Sequence, residues 1–336
     1  MNLIEKLQAA YNQLRLAKRV LIVAHTSPDA DALASVGAMI EVARFLKLDI
    51  YAYGDKKPEG VYGFIPNEAL VFSKEPEDLR QFDVILILDC GSISRTGLEA
   101  RLRALLKAES EGRIVKRPYL IEFDHHPLQG DYADLEIRLP DKASTTEIIY
   151  HFLKANNLEI TKELANCILI GLMTDTGHFL HANSSKEAIT VSSEMLLRGA
   201  SLPKIIGHTV NNKSFVSLKV WGRALENMHF NAETGLISSG LTASELTGLL
   251  GPETAVSLDL FGDIVSFLSM LADVKVALLL REEGDKIKGS LRTNGEEIDV
   301  AAIARNFGGG GHKKASGFSL AGRLSRTATG WKVIKQ

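Results

Sequence analysis

Tyr119-Leu120-Ile121-Glu122-Phe123-Asp124-His125-His126 is a mostly apolar run that stops at an acid and two imidazoles. An apolar run this short suits a strand covered on both faces, with polar residues emerging at its carboxyl end. Two adjacent histidines after a strand are often structural, so the weight comes from three other stretches that end the same way. Val20-Leu-Ile-Val-Ala24 runs into His25, Asp29 and Asp31; Val84-Ile-Leu-Ile-Leu88 runs into Asp89; Ile168-Leu-Ile-Gly-Leu-Met173 runs into Asp175. In an open α/β sheet, ligands gather beyond the carboxyl ends of the strands. Clusters far apart in sequence are therefore placed to converge.

Outward from these runs, strands alternate with helices. Met1 to Lys18 reads as an amphipathic helix. Ala32 to Leu46 reads as a second, with Ala34, Ser35, Gly37 and Ala38 small enough to let it lie close on a sheet. A strand at Ile50–Tyr53 follows, then a connection between Gly54 and Glu77 with one short strand, and a helix from about Leu98 to Lys107. Lys142-Ala-Ser144-Thr145-Thr-Glu147 is a capping-box-like start to a helix through Asn156. Another helix, from Thr161, delivers Asp175. This spacing predicts βαβ units and a mainly parallel sheet. Ser185 to about Glu226 is helical, and strand-like segments (His229–Ser238, Val274–Leu280, Lys286–Arg292) then alternate with helices starting near Thr242 and Ile298. The expected fold is α/β. A larger domain spans residues 1–198, a linker 199–214, and a smaller α/β domain 215–336, with the active site in the cleft between them.

Bulk properties agree. A chain of 336 residues exceeds what one core comfortably fills, so two domains are the natural expectation. From Lys275 to Gln336 there are 12 Lys+Arg against 6 Asp+Glu, while the whole chain carries a net −2. An acidic first part with a basic end suits a metal site in one domain and an anion-holding surface in the other. Cys90 and Cys167 both lie in apolar stretches, which argues for a reducing compartment and against a disulfide framework. No signal-peptide core and no membrane-length apolar run is present, so the expected location is the cytoplasm.

Several carboxylates close together cannot all stay ionised without a cation. Oxygen donors mixed with imidazoles suit Mn²⁺, Mg²⁺ or Fe²⁺ rather than a thiol-preferring metal. Asp29-x-Asp31 lets two carboxylates face one cavity while binding different ions, and Asp89 is placed to bridge them. Such a pair of cations activates a shared water and clamps phosphoryl oxygens for in-line displacement. Gly308 to Gly311 is the second half of the reading. Successive glycines leave backbone N–H groups free to cradle an anion, with His312, Lys313, Lys314 and Ser316 as further donors and Arg292 on a preceding strand. Taken singly, each residue has a bland alternative: His25 or Asp29 as a helix cap, Asp175 as a helix terminator, the glycines as a flexible turn. Cys90 is rejected as a nucleophile because it follows a buried strand without a dedicated cation. His151, His178, His181, His208 and His229 show no repeated placement and read as ordinary residues.

In this order, His25-x3-Asp29-x-Asp31, Asp89, Asp124-His125-His126 and Thr174-Asp175-Thr-Gly177 resemble the four motifs of the DHH phosphoesterase superfamily. Ser290-Leu-Arg292-Thr with Phe307-Gly-Gly-Gly-Gly-His312-Lys-Lys-Ala-Ser-Gly317 is similar to its DHHA1 domain, and the chain looks most like the stand-alone NrnA-type branch. The resemblance implies two Mn²⁺ ions, one held by His25, Asp29 and Asp89, the other by Asp31, Asp89, His125 and Asp175. It implies that Asp124 orients the histidines, that His126 faces the phosphate or supports the ligands from outside them, and that Arg95, Arg292, Gly309, Gly310, Gly311, His312 and Ser316 bind substrate. Leu180 stands where many relatives have Arg, and Thr293 where Ser is commoner. The implied activity is hydrolysis of short oligoribonucleotides (roughly 2–5 nucleotides) and of 3′-phosphoadenosine 5′-phosphate (pAp) to AMP, by hydroxide that two metals activate. Cyclic dinucleotides (c-di-AMP, or its linear form pApA) are the alternative substrate, and a non-catalytic nucleotide sensor is the rival from another class. A homodimer is a further expectation.

Overall fold

A computed structural model describes residues 1–54, 64–65, 74–127, 130–210, 214–251, 260–327 and 329–334. It divides into two compact units, Met1–Asn212 and Lys213–Gln336. The short strand expected between Gly54 and Glu77 lies largely outside the described residues.

The first unit runs α1 (Leu3–Leu16), β1 (Arg19–Ala24), α2 (Ala30–Phe45), β2 (Asp49–Tyr53), β3 (Val84–Leu88), α3 (Glu99–Ser110), β4 (Tyr119–Asp124), β5 (Leu135–Arg138), α4 (Thr145–Ala155), α5 (Lys162–Asp175), α6 (Lys186–Leu197) and α7 (Leu202–Thr209). Its five strands are all parallel in the order β2-β1-β3-β4-β5. The apolar runs are continuous because both faces are covered. Val20, Ile22, Leu86 and Leu88 pack with α2, α4 and α5, while Leu21, Val23, Ile85 and Ile87 pack with Leu98, Leu102 and Leu105 near and on α3. Each such side chain, fully buried, contributes about 1.5–3 kcal/mol. The central α2 is buried nearly all round, and its small residues let it pack along α5.

The register places the polar clusters. Ala24 pairs with Leu88, and Leu88 with Phe123. The next residues, His25, Asp89 and Asp124, therefore form one row along a single sheet edge. Chain order reverses between β1 and β3, so His25 and Asp89 flank the switch point where such sheets bind ligands. Asp175 arrives differently. As expected of a helix from Thr161, the apolar run before it forms the last turns of α5, which is apolar on nearly every side because it is buried beside α2 and α4.

The second unit holds α8 (Phe215–Glu226), β6 (His229–Asn231), β7 (Leu236–Leu241), α9 (Ala243–Leu250), α10 (Ile264–Ser269), β8 (Val276–Glu283), β9 (Lys286–Arg292), α11 (Val300–Arg305), β10 (Gly310–His312), β11 (Ala315–Ala321), β12 (Arg323–Thr327) and β13 (Gly330–Ile334). Six strands form one mixed sheet, β10-β11-β9-β8-β7-β6, in which β7 and β8 are parallel and the other neighbours antiparallel. The single strand expected over His229–Ser238 is a hairpin. The Asn231 side chain accepts from the Glu233 and Thr234 amides, and Gly235 supplies a φ of 68°.

Candidate metal centre

Five elements bring the predicted ligands together, and His25 follows the first of them, β1. Asp29 caps α2, accepting from the Ala32 amide at 3.1 Å, and Asp31 sits in the first turn of the same helix, fully buried. Asp89 follows β3 with a φ of 57°, a left-handed turn that aims its carboxylate back along the sheet edge. His125 follows β4, and Asp175 ends α5. Ligand atoms of His25, Asp29 and Asp89 lie within 4.8 Å of one another, and so do those of Asp31, Asp89 and His125. Asp89 belongs to both groups. His125 Nε2 is 3.1 Å from Asp175 and 3.5 Å from Asp89, which adds Asp175 to the second.

The imidazoles of His25 and His125 are held the same way. His25 Nδ1 donates to the Thr26 carbonyl (2.8 Å) and His125 Nδ1 to the Lys142 carbonyl (3.3 Å). Each ring thereby turns Nε2 toward the carboxylates, the arrangement metal-binding histidines adopt. His25 Nε2 is buried without a hydrogen-bond partner among the described residues, with Asp29 at 3.9 Å and Asp89 at 4.0 Å. Those gaps exceed a hydrogen bond yet suit donors sharing one ion. Burial, then the neighbouring carboxylates, pushes Asp31 up to about 8 and Asp89 well above the ordinary carboxylate range. A divalent cation fits this donor set, because it alone lets these acids ionise together near neutrality.

A pH dependence follows. The raised Asp31 and Asp89 make the metal-free folded state hold protons that the unfolded chain has released, and the raised His125 acts in the same direction. Stability conferred by those protons is present below about pH 4 and is lost as pH climbs toward about 8. Thermal melts with and without Mn²⁺ should therefore show a larger metal-induced rise in Tm at pH 8 than at pH 6. An equal or smaller rise at pH 8 would contradict this origin of the shifts.

Beside this cluster, Asp124 and His126 form a pair, and His126 Nδ1 also lies 3.5 Å from Asp89. Asp124 Oδ1 accepts from the His126 backbone amide (2.7 Å) and from its Nδ1 (2.8 Å), while Oδ2 accepts from the Gly91 amide. Burial opposes ionisation of Asp124, but His126 and Arg138 outweigh it and bring the carboxyl down to about 2.

Residues 19–172 match the family described as "DHH family, N-terminal domain", and residues 251–329 match the "DHHA1 domain". This chain is a DHH-family phosphoesterase. It is 26% identical over 320 residues to the bifunctional oligoribonuclease and PAP phosphatase NrnA of Thermus thermophilus, covering 93% of this chain and 90% of that protein. With the Bacillus subtilis protein of the same name, identity is 24% and coverage 91% of each. The crystal structure of an exopolyphosphatase-related protein from Bacteroides fragilis shares the fold, with a TM-score of 0.82 at 24% identity over 94% of this chain and 90% of that one.

The DHH domain also contains supports that its motifs do not announce. The N-terminus of α4 holds Asp31, whose oxygens accept from the Thr145 amide (2.7 Å) and the Thr146 amide (3.2 Å). The Thr145 hydroxyl donates to Asp89 (2.8 Å). In sequence this segment signals only a capped helix. Arg138 is buried behind the histidines, where it donates to Glu122 and to the backbone carbonyls of Gly91, His126 and Pro127. His181, read as ordinary, lies against the turn at Gly177, with Nδ1 3.3 Å from the Asp175 carbonyl. Arg95 and His126 flank Gly91: a Cβ there would lie 3.3 Å from Arg95 Nη1 and 3.5 Å from His126 Cγ. Cys90 is fully buried, and burial raises its thiol well above the ordinary range, so it offers no thiolate. Leu180 is exposed, and Thr293 is buried with its hydroxyl donated to the Lys275 carbonyl.

In the DHHA1 domain, the glycine run is part of a hairpin rather than an open loop. A Cβ at Gly309 would fall 2.1 Å from the Gly317 carbonyl, and one at Gly311 2.6 Å from that of Ala315. These two glycines permit close chain pairing, whereas Gly310 has open space around its Cβ position. Ser316 is buried with its hydroxyl donated to the Val300 carbonyl (2.7 Å), so it braces α11. His312 pairs with Ala315, and Ala315 with Arg292. His312 and Arg292 thus belong to one row across three strands, their backbones roughly 10 Å apart with a small residue between them.

Proposed function

We propose that the chain is a divalent-metal-dependent nuclease and phosphatase, acting on short oligoribonucleotides and on pAp. The observation that carries this reading is the sharing of Asp89 between two donor groups, since one bridging carboxylate is what a pair of cations requires. His25, Asp29 and Asp89 hold one ion; Asp31, Asp89, His125 and Asp175 hold the other. Mn²⁺ is the preferred metal, with Mg²⁺ or Fe²⁺ as substitutes. When bound, the ions supply an activated water and neutralise charge on the phosphoryl oxygens.

The protein's own groups do the remaining work. Asp124 accepts from His126 Nδ1 and so orients this imidazole toward the phosphate. Arg95, half-buried and without an ion pair among the described residues, is placed beside that imidazole to take a phosphate oxygen. In the DHHA1 domain, the row of His312 and Arg292 grips a terminal phosphate or base, and Gly310 leaves room beside it. None of these contacts reads base edges, so sequence preference should be slight.

The names of the Thermus and Bacillus relatives support the choice of substrates. The test is a substrate panel in Mn²⁺ with products read by mass: RNA of roughly 2–5 nucleotides, RNA of about 20, pAp, c-di-AMP and pApA. Short RNA and pAp should turn over fastest. Equal or faster cleavage of the long strands, or hydrolysis of c-di-AMP alone, would replace this reading.

A further inference from the structure

His151 has a specific environment. It lies one turn after Glu147 on α4, so both side chains share a face, and Glu187 reaches them from the first turn of α6. Ligand atoms of the three residues lie within 4.8 Å of one another. Glu147 is fully buried; its Oε2 accepts from the Ala143 amide at 2.7 Å, but Oε1 has no hydrogen-bond partner among the described residues. His151 Nε2 is also buried and unpartnered, being 3.2 Å from Glu187 Oε1 without hydrogen bonding to it. Two buried polar atoms that make no hydrogen bond are costly and call for a ligand.

What stands among them is the Lys142 ammonium, paired with Glu187 and 3.8 Å from Glu147 Oε1. The three donors have collected around a cation, but one whose geometry leaves two of them unsatisfied. We propose that Glu147, His151 and Glu187 form an additional metal site, separate from the DHH centre, for a divalent ion of the zinc type that takes the place of the Lys142 ammonium. One imidazole and two carboxylates, with a position left for water, are a donor set that Zn²⁺ accepts. Burial and the neighbouring Lys142 disfavour the imidazolium at His151, and the neutral ring is the form that ligates a metal. The lysine has a flexible stem and is partly solvent-facing, so it can withdraw without disturbing α4. The site does not depend on the proposed substrates or on the ligand assignments at the DHH centre.

The experiment dialyses Mn²⁺-loaded protein against Zn²⁺ and counts bound zinc by mass spectrometry. Wild type is compared with His151→Gln, Glu187→Gln and Lys142→Ala. Both ligand variants should bind this zinc on the order of 10–100-fold more weakly while retaining wild-type manganese. Lys142→Ala should bind it on the order of tenfold more tightly, since the competing ammonium is gone. Glu187 is half-exposed, so its variant tests the idea even if His151→Gln misfolds. Zinc held equally by wild type and the ligand variants resides at the DHH centre or is adventitious, and would overturn the proposal. Unchanged affinity in Lys142→Ala would do the same.

Discussion

Asp89→Asn is expected to lower kcat on pAp and on short RNA by ~10³-fold or more, with the fold intact. Asparagine is the informative replacement. Residue 89 sits at a φ of 57°, which Asn tolerates well and Ala poorly. Its side-chain oxygen can still accept from the Thr145 hydroxyl, as Asp89 does at 2.8 Å. What disappears is one negative charge at the atom pair common to both donor groups. A loss of ~10³ corresponds to about 4 kcal/mol of transition-state stabilisation, the scale at which a bridging ligand should matter. Bound manganese should fall in parallel. If the variant kept both its metal content and its turnover, the bridging role of Asp89 would be wrong. If it bound metal normally but lost turnover, the loss would belong to chemistry rather than assembly. A wild type that binds nucleotides and hydrolyses none with any divalent metal would instead leave the sensor.

The convergence of these side chains was legible because their positions are dictated by sheet geometry. A fully apolar run must end where both covering layers end, and a parallel sheet ends its strands on one edge. The steps Ala24 to His25, Leu88 to Asp89 and Phe123 to Asp124 therefore announce a common location. Asp175 carries the same polar-after-apolar signature from a buried helix, because burial on all sides erases the helical period that would distinguish it. The supports were harder to see. Thr145 contributes a backbone amide to Asp31, and any residue but proline has an amide. Arg138 looks like the polar end of a short strand, and only its burial against Glu122 and three carbonyls reveals a brace. The glycines at 309 and 311 signal backbone freedom in sequence, but their steric neighbours show that chain pairing uses it. Spacing reports where side chains emerge; it does not report which backbone groups will meet them.

Gly171→Ala tests one such hidden support, and two physical effects oppose each other at this position. In the interior of a helix, replacing glycine by alanine normally stabilises by about 1 kcal/mol, since alanine is the better helix former. Gly171 lies inside α5, so propensity alone predicts a raised Tm. A Cβ at this position, however, would fall 2.1 Å from Asp31 Oδ1 and 2.2 Å from Thr146 Oγ1. Neither neighbour can yield cheaply. Asp31 is fully buried and held by two amides of α4, and Thr146 is fully buried with its hydroxyl donated to the Ile168 carbonyl. Overpacking of this kind costs typically 1–3 kcal/mol, enough to reverse the propensity gain. Relief requires Asp31 to move off its amide cradle, which removes a ligand from the group it shares with Asp89 and His125. The variant should therefore melt lower than wild type and bind manganese on the order of 10–100-fold more weakly, with activity recovered only at high metal. Gly207 is the control, because its Cβ position has nothing within 4 Å and it too lies in a helix. Gly207→Ala should be neutral or stabilising. Should Gly171→Ala behave like that control, with a higher Tm and unaltered metal affinity, the close approach of α5 to Asp31 could not be what holds this carboxylate in place.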